Sequence, residues 1–533
     1  MNQKKRKKKL RQLKEVPTCK MSFPSIIGTE TEYGISVRNV KEQDPVAASM
    51  LVVSSYSQED IESADKSAGN DIYWDYEQES PLTDARGFVY EGENNLPQDE
   101  DNTVINDILI NGGRYYVDHA HPEYCTPECT TARDIVIYEK AGDLIVDLSR
   151  KKAEGTLPTE QEILIYKNNT DYKGHSYGSH ENYLVPREIE FQDFTDALTP
   201  FFVTRQIIAG SGKVGFENGA EPVDFQISQR ADFFETEVGL STMVSRPIIN
   251  TRDEPHANNE IYRRLHVIVG DSNMSEFSIY LKIGITSLVL KLIQIGALKC
   301  QFKLIDPVRD IRKVSRDLTC QKKLRLESGE EKSPIELQRD YLNLVRQSFS
   351  TDELSPTDLD VLSKWDFVLN QLESDPMRLD KHLDWVIKLR LMSAYISRHN
   401  LNWKDSRIKM FDLQYHDLRS DRGLYHRLVK NNQVVSVVDQ KEVINAMTFP
   451  PTDTRAYFRG TCLKKFAADI HSVSWNSIVF STGGSSLNKI FMDRPHFGNK
   501  ALVGDLLNCN SVSQLVEKFS SSDDLVEPVS DSS

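Results

Sequence analysis

The alternation of apolar and polar positions is clearest at the start of the folded part of the chain. Residues 23–37 predict a strand: Ile26, Ile27, Tyr33 and Ile35 are apolar or aromatic, while Glu30 and Glu32 fall on one strand face. Residues 109–118 predict a second strand with Arg114, Tyr116 and Asp118 on one face. Shorter strands are predicted at 163–167, 225–228 and 262–269. Helical spacing runs through Ala132–Lys152, Thr195–Ala209, Leu337–Gln347 and Trp385–Ser397. Between the first strand and Trp74 lies a polar stretch, 38–73, too long for a simple connection; it reads as an insertion loop with room for a helix. An acidic loop follows at 91–102. Strands come early and helices dominate 280–400, which predicts an α+β fold rather than alternating βαβ units. Short helices and strands from 423 to 517 predict a small C-terminal domain after a main domain spanning 23–422.

Charge changes this picture mainly at the ends. The first fifteen residues hold eight Lys/Arg and one Glu, so the remaining chain carries −21 of a net charge of −14. Residues 1–22 are expected to be a disordered basic tail and 518–533 a disordered Ser/Asp/Glu tail. An acidic body argues against general nucleic-acid binding. The most apolar window, Ser278–Lys299, is broken by Lys282 and Lys291 and predicts a buried helix, not a membrane span. Seven scattered cysteines, of which Cys125 and Cys129 form the sole close pair, fit neither a disulfide framework nor a zinc site. A reducing cytoplasm is the expected setting.

Chemistry concentrates in two segments. Asn111–Tyr124 brings Arg114, Tyr116, Asp118, His121 and Glu123 within a few residues. Glu30 and Glu32 sit on a strand whose apolar flanks place it in the interior, and buried carboxylates need a counter-charge. A divalent cation such as magnesium, which takes oxygen ligands, is the natural one. Arg205, Arg230, Arg246, Arg252, Arg263 and Arg264 are many for an acidic chain; two or three are expected to face a ligand and the others to hold the fold. Gly210–Gly215 matches G-x-G-x-x-G but follows a helical stretch instead of a strand, so a helix stop is the better reading. Arg455, Arg459 and Trp475 are a cation pair and an aromatic suited to a nucleotide, with core packing as the alternative for Trp475.

Six ordered motifs carry a resemblance: Gly28–Gly34, Tyr116–Tyr124, Lys167–Asp171, Ser176–Tyr183, Ile248–His256 and Arg264–Asn273. Together they resemble the Pup deamidase/depupylase and Pup ligase family, from about residue 24 to 517. The resemblance implies a glutamine-synthetase-like antiparallel sheet cradle packed by helices. The 38–73 insertion, the form of Asp118–Glu123, and the segments 450–460 and 474–480 resemble the deamidase branch; Phe202–Gln206 and Val269–Glu276 read as close to the ligase. On the deamidase side the resemblance implies hydrolysis of the side-chain amide at the C-terminal Gln of Pup and of the isopeptide bond joining Pup to a lysine. Its implied partners are Pup, pupylated proteins and the bacterial proteasome pathway, and its implied cofactors are ATP and Mg2+. It implies Asp118 as the catalytic carboxylate and Arg114, Thr126 and Trp475 as ATP contacts. Glu30, Tyr116 and Glu123 are implied on the magnesium side, with Glu32, His180 and His256 as further residues there. A Pup–protein ligase and a non-catalytic nucleotide-binding scaffold are the alternatives.

Overall fold

The computed structural model describes residues 25–56, 72–77, 79–89, 105–242, 245–482 and 487–520. The expected basic tail, the 91–102 loop, residues 57–71 of the insertion and residues 521–533 lie outside these described residues.

Six antiparallel strands form the central sheet: β1 (Ile27–Glu32), β2 (Asn106–Ile108), β3 (Arg114–Asp118), β4 (His121–Cys125), β5 (Ser179–Pro186) and β6 (Tyr262–Val267), in the order β6-β5-β1-β4-β3-β2. Thr29 and Thr31 on β1 are buried on one face, while Glu30 and Glu32 occupy the other. The buried face is covered by α2 (Ala132–Glu154), α3 (Phe191–Ala209) and α4 (Glu276–Gln294), after an insertion helix α1 (Pro45–Ser54). Helices α5 (Pro334–Ser348) and α6 (Pro356–Ser374) extend the same core. Their starts are set locally: Thr131 caps α2 by accepting from Asp134 N, and Ser333–Glu336 and Ser355–Asp358 form capping boxes. The α+β expectation is what the structure has, and Ser278–Lys299 is indeed a buried helix. Among the described residues no helix is long and apolar enough to cross a membrane.

Two predicted strands differ in extent for local reasons. The 23–37 strand divides at Tyr33. The Tyr33 amide donates to Pro122 O and its hydroxyl to Asp143 (2.9 Å), so the chain turns away and Gly34–Arg38 pairs with Glu162–Tyr166. The 109–118 strand starts only at Arg114, because Gly112, at φ 85°, closes a turn back to Leu109 O. Gly210 does end α3, and the short strand Lys213–Val214 follows, not a phosphate-binding helix.

A second hydrophobic core holds Phe458, Phe466, Ile478, Phe480 and Leu515 together with Trp74 and Ile108 from the first part of the chain. Tyr73–Trp74 joins the sheet of Ile470–Val473, Ser477–Ser481 and Leu487–Phe491 as its fourth strand. Val434, Val443 and Met447 belong instead to the main core. We therefore propose that the smaller unit begins after about residue 447, not at 423.

The sheet and α2 approach closely at Gly142, where any Cβ would overlap the buried Tyr124 ring. Gly142→Ala is expected to destabilise the protein by about 1–3 kcal/mol, read as a lower denaturation midpoint, with an unchanged midpoint counting against this packing.

Candidate active site

Strand register assembles the acidic face. Glu32 on β1 stands opposite Glu123 on β4, which stands opposite Tyr116 on β3. Glu30 stands opposite His180 on β5. The β3–β4 hairpin turns through His119 and Ala120, with His119 at φ 51°, so Asp118 is the last strand residue before the tip. The insertion supports this tip: Ser49 Oγ on α1 donates to Ala120 O at 2.8 Å.

Two groups result, each with ligand atoms lying within 4.8 Å of one another: Glu32, Asp118 and Glu123, and Glu30, His180 and His266. Tyr116 donates its hydroxyl to Glu123 at 2.7 Å. Glu30 receives His180 Nδ1 at 3.0 Å and Asn182 Nδ2 at 2.9 Å, with Arg264 at 3.6 Å. His119 Nδ1 lies 3.1 Å from Asp118 Oδ2, and the Asp118 side chain is 37% exposed.

The charges are not balanced by protein alone. Burial and the charges of Asp118, Glu32 and Glu30 push the Glu123 carboxyl well above its ordinary value. Burial acts the same way on Glu30, but the His180 hydrogen bond and the charges of His266, His180 and Arg264 hold it well below. Partial burial also opposes ionisation of Asp118, and the hydrogen bond and charge of His119 outweigh it, so this carboxylate is held below its ordinary range. Carboxylates crowded so closely, all oxygen donors with a tyrosine beside them, fit a divalent cation.

Two cavities meet at Glu30. The larger, about 970 Å³, is lined by Glu32, Asp118, Glu123, His180, Arg246 and Arg252 among others. The smaller, about 80 Å³ and mostly apolar, lies against the second core and is lined by Ile27, Thr126, His256, Arg264, Arg455 and Trp475. Thr126 Oγ1 accepts the Thr29 amide at 2.9 Å, which fixes it at that wall.

The structure therefore brings together Glu30, Glu32, Tyr116, Asp118, Glu123 and His180, and sets Thr126 and Trp475 in the adjoining pocket. His256 lines that second pocket and is in neither metal-suited group; burial, then Arg264 and Arg455, hold its ring well below its ordinary pKa. Arg114 lines neither cavity. Its guanidinium is sandwiched at 4.1 Å from the Trp74 ring and 3.9 Å from the Tyr116 ring. Of the candidate arginines, Arg230, Arg246, Arg252 and Arg264 line the cavities, one or two more than expected, while Arg205 is locked to Glu181 at 2.7 Å. His266 and Asn182 were not singled out from the sequence. The signal lay in period two: Arg264 and His266 share a face of β6, and Asn182 pairs with His266.

The chain belongs to the Pup-ligase protein family, whose model matches residues 25–479. It is 48% identical to the depupylase of Acidothermus cellulolyticus, across 92% of this chain and 98% of that one. It is 45% identical to the Pup deamidase/depupylase of Mycolicibacterium smegmatis, across 93% and 99%. A Pup–protein ligase of Paenarthrobacter aurescens is 43% identical, but across only 68% of this chain and 80% of that one. Among solved structures, the ligase PafA in complex with the prokaryotic ubiquitin-like protein Pup covers 95% of this chain and 96% of its own at 31% identity and TM-score 0.76. PafA in complex with ADP covers 77% and 91% at 34% identity and TM-score 0.70.

Proposed function

We propose that this protein is a Pup deamidase/depupylase of the cytoplasm. It hydrolyses the side-chain amide of a C-terminal Gln on Pup and the isopeptide bond between Pup and a lysine of a pupylated protein, upstream of a bacterial proteasome. The observation that carries this reading is Asp118, an ionised carboxylate at a hairpin tip, opening on the large cavity within ligand distance of Glu32 and Glu123. The near full-length match to deamidase/depupylase relatives, against the partial match to a ligase, supports the hydrolytic branch.

Both substrates present the same γ-carbonyl and differ in the leaving group, ammonia or a lysine amine. Asp118 has two chemical roles open to it. It attacks the carbonyl carbon directly, releasing the amine and leaving a mixed anhydride that water then hydrolyses, or it takes a proton from a water that attacks. Label found in Asp118 after a single turnover in H2¹⁸O establishes the first, through water opening the anhydride at the Asp118 carbonyl, whereas a water activated by Asp118 carries its oxygen only into Pup. Glu30, Tyr116, Glu123, Glu32 and His180 would hold Mg2+, with His266 in place of His256. Trp475, Thr126 and Arg455 would receive the base and sugar of ATP, and Arg114 would keep Tyr116 in place. Bound Mg2+ supplies positive charge that steadies the oxyanion and the nucleotide phosphates.

Incubation of the protein with MgATP and Pup ending in Gln is expected to release ammonia and raise the mass of Pup by about one dalton, the difference between amide and acid. Conjugation of Pup ending in Glu to a lysine protein, without amide hydrolysis, would overturn the reading in favour of the ligase.

A further inference from the structure

Asp118 holds the last strand position before a two-residue turn, His119–Ala120, and pairs across it with His121. His119 has φ 51°, a left-handed backbone that a residue with a side chain keeps only where its surroundings fix it. The Asp118 carboxylate meets His119 Nδ1 at 3.1 Å, and His119 is itself part of the turn. The place of the carboxylate therefore follows the backbone of the turn. One flank of the turn is pinned just past the end of β1. His121 Nδ1 donates to Tyr33 O at 3.1 Å, and its ring lies 4.4 Å from that of Tyr177.

The other flank is pinned by α1. Ser49 is fully buried and donates to Ala120 O at 2.8 Å. Thr199 and Thr204 of α3 and Thr286 and Ser287 of α4 each donate to the carbonyl four residues earlier, and so does Ser55 at the end of α1. Ser149 and Ser49 instead reach across to another element: Ser149 of α2 donates to Val52 O of α1, and Ser49 of α1 to the turn. Helix α1 is a firm base for that reach. Val52 and Val53 are fully buried in the main core, and Asp44 caps the helix by accepting the Ala47 amide at 2.9 Å.

We infer that Ser49 is a positioning residue for Asp118: its hydrogen bond holds the turn so that the carboxylate keeps its place against the carbonyl under attack. This rests on the deamidase/depupylase reading. The path is short and continuous. Helix α2 steadies α1 through Ser149, α1 holds Ala120 O through Ser49, and Ala120 is two residues from Asp118. Ser49 lines neither cavity, so it acts through the turn and not by touching substrate or nucleotide. A shift of about 1 Å in a reacting group costs up to about 100-fold in rate, whereas one hydrogen bond is a small part of the stability of a large core. The loss of this contact should therefore appear in turnover and not in folding.

Ser49→Ala is expected to lower kcat on Pup ending in Gln by about 10-fold, with the KM for Pup and the affinity for MgADP unchanged. Hydrogen exchange of the backbone at 118–121 should quicken by about 10-fold, the scale of one lost hydrogen bond, while the amides of α1 keep their protection. Ser49→Cys, a weaker donor of similar size, should fall between the two and carries the test should Ser49→Ala not fold. Ser55→Ala removes a hydroxyl bonded within α1 and should leave kcat unchanged. An unchanged kcat in Ser49→Ala overturns the inference. So does a lower kcat in which α1 also loses its protection, or one that Ser55→Ala matches, since the integrity of the helix and not the reach of Ser49 would then set the rate. A wild-type protein that conjugates Pup without hydrolysing its amide fails the deamidase reading alone. The same comparison is then read on conjugation, because Asp118 stands on the same turn in either reaction.

Discussion

Asp118→Asn is expected to lower deamidation and isopeptide cleavage by about 10²- to 10⁴-fold, the range lost when a positioned acid–base group is removed. The asparagine keeps the shape of the side chain at the hairpin tip but can neither attack as a carboxylate nor accept a proton. The loss should appear in kcat. Nucleotide binding should persist, because Thr126, Arg455 and Trp475 line a separate pocket that Asp118 does not touch. Folding should persist as well, since the Asp118 side chain is partly exposed and its neighbour is the exposed His119. Rapid-quench turnover measured beside equilibrium binding of ADP checks both halves. A variant that still hydrolyses at near wild-type rate removes Asp118 from the chemistry. One that loses the nucleotide shows that the two cavities are less separate than the lining residues indicate.

What the sequence could show follows from how local each feature is. The acidic face was legible because β1 and β3 alternate: Glu30 and Glu32, and Tyr116 and Asp118, are two residues apart on strands. The α-helices were legible from their spacing, while caps such as Thr131 and Ser333 set their starts only in the structure. His266 was hidden because its place beside Glu30 and His180 exists only once β5 pairs with β6 and β1. Arg114 looked like a free cation because its stacking partner Trp74 lies forty residues away, before the acidic 91–102 loop. Nothing local shows that Tyr73–Trp74 completes a sheet built from residues beyond 470. For the same reason the helices up to residue 445 looked like part of the smaller unit, although Val434 and Val443 pack into the main core. Ion pairing decided the arginines, and a pairing such as Arg205 with Glu181 exists only once α3 and β5 are in contact.

Replacing Glu128 is expected to have the largest effect on stability. Glu128 follows β4 and is buried against two arginines of the C-terminal part, with Arg455 Nε at 2.7 Å and Arg459 donating from both terminal nitrogens. Those arginines in turn hold the two cores together: Arg455 donates to Met492 O and His256 O, and Arg459 to Gly112 O and Trp475 O. Glu128→Gln leaves two buried cations short of a counter-charge, a change that costs about 3–5 kcal/mol in comparable buried pairs. Titration gives a similar size. Burial alone would raise this carboxyl, but Arg459 and Arg455 lower it to about 2 from an ordinary 4.5, a difference worth about 3 kcal/mol. Because the folded value is depressed, that stability is fully present above pH 4.5 and is lost as the pH falls from 4.5 toward 2. The gap between wild type and Glu128→Gln in chemical denaturation should therefore be widest at neutral pH and narrow by pH 3. The variant should also bind nucleotide more weakly, since Glu128 and Arg455 both line the smaller cavity. A gap that is small at neutral pH, or that stays constant down to pH 3, would mean that the two cores are joined mainly by packing and not by this charge.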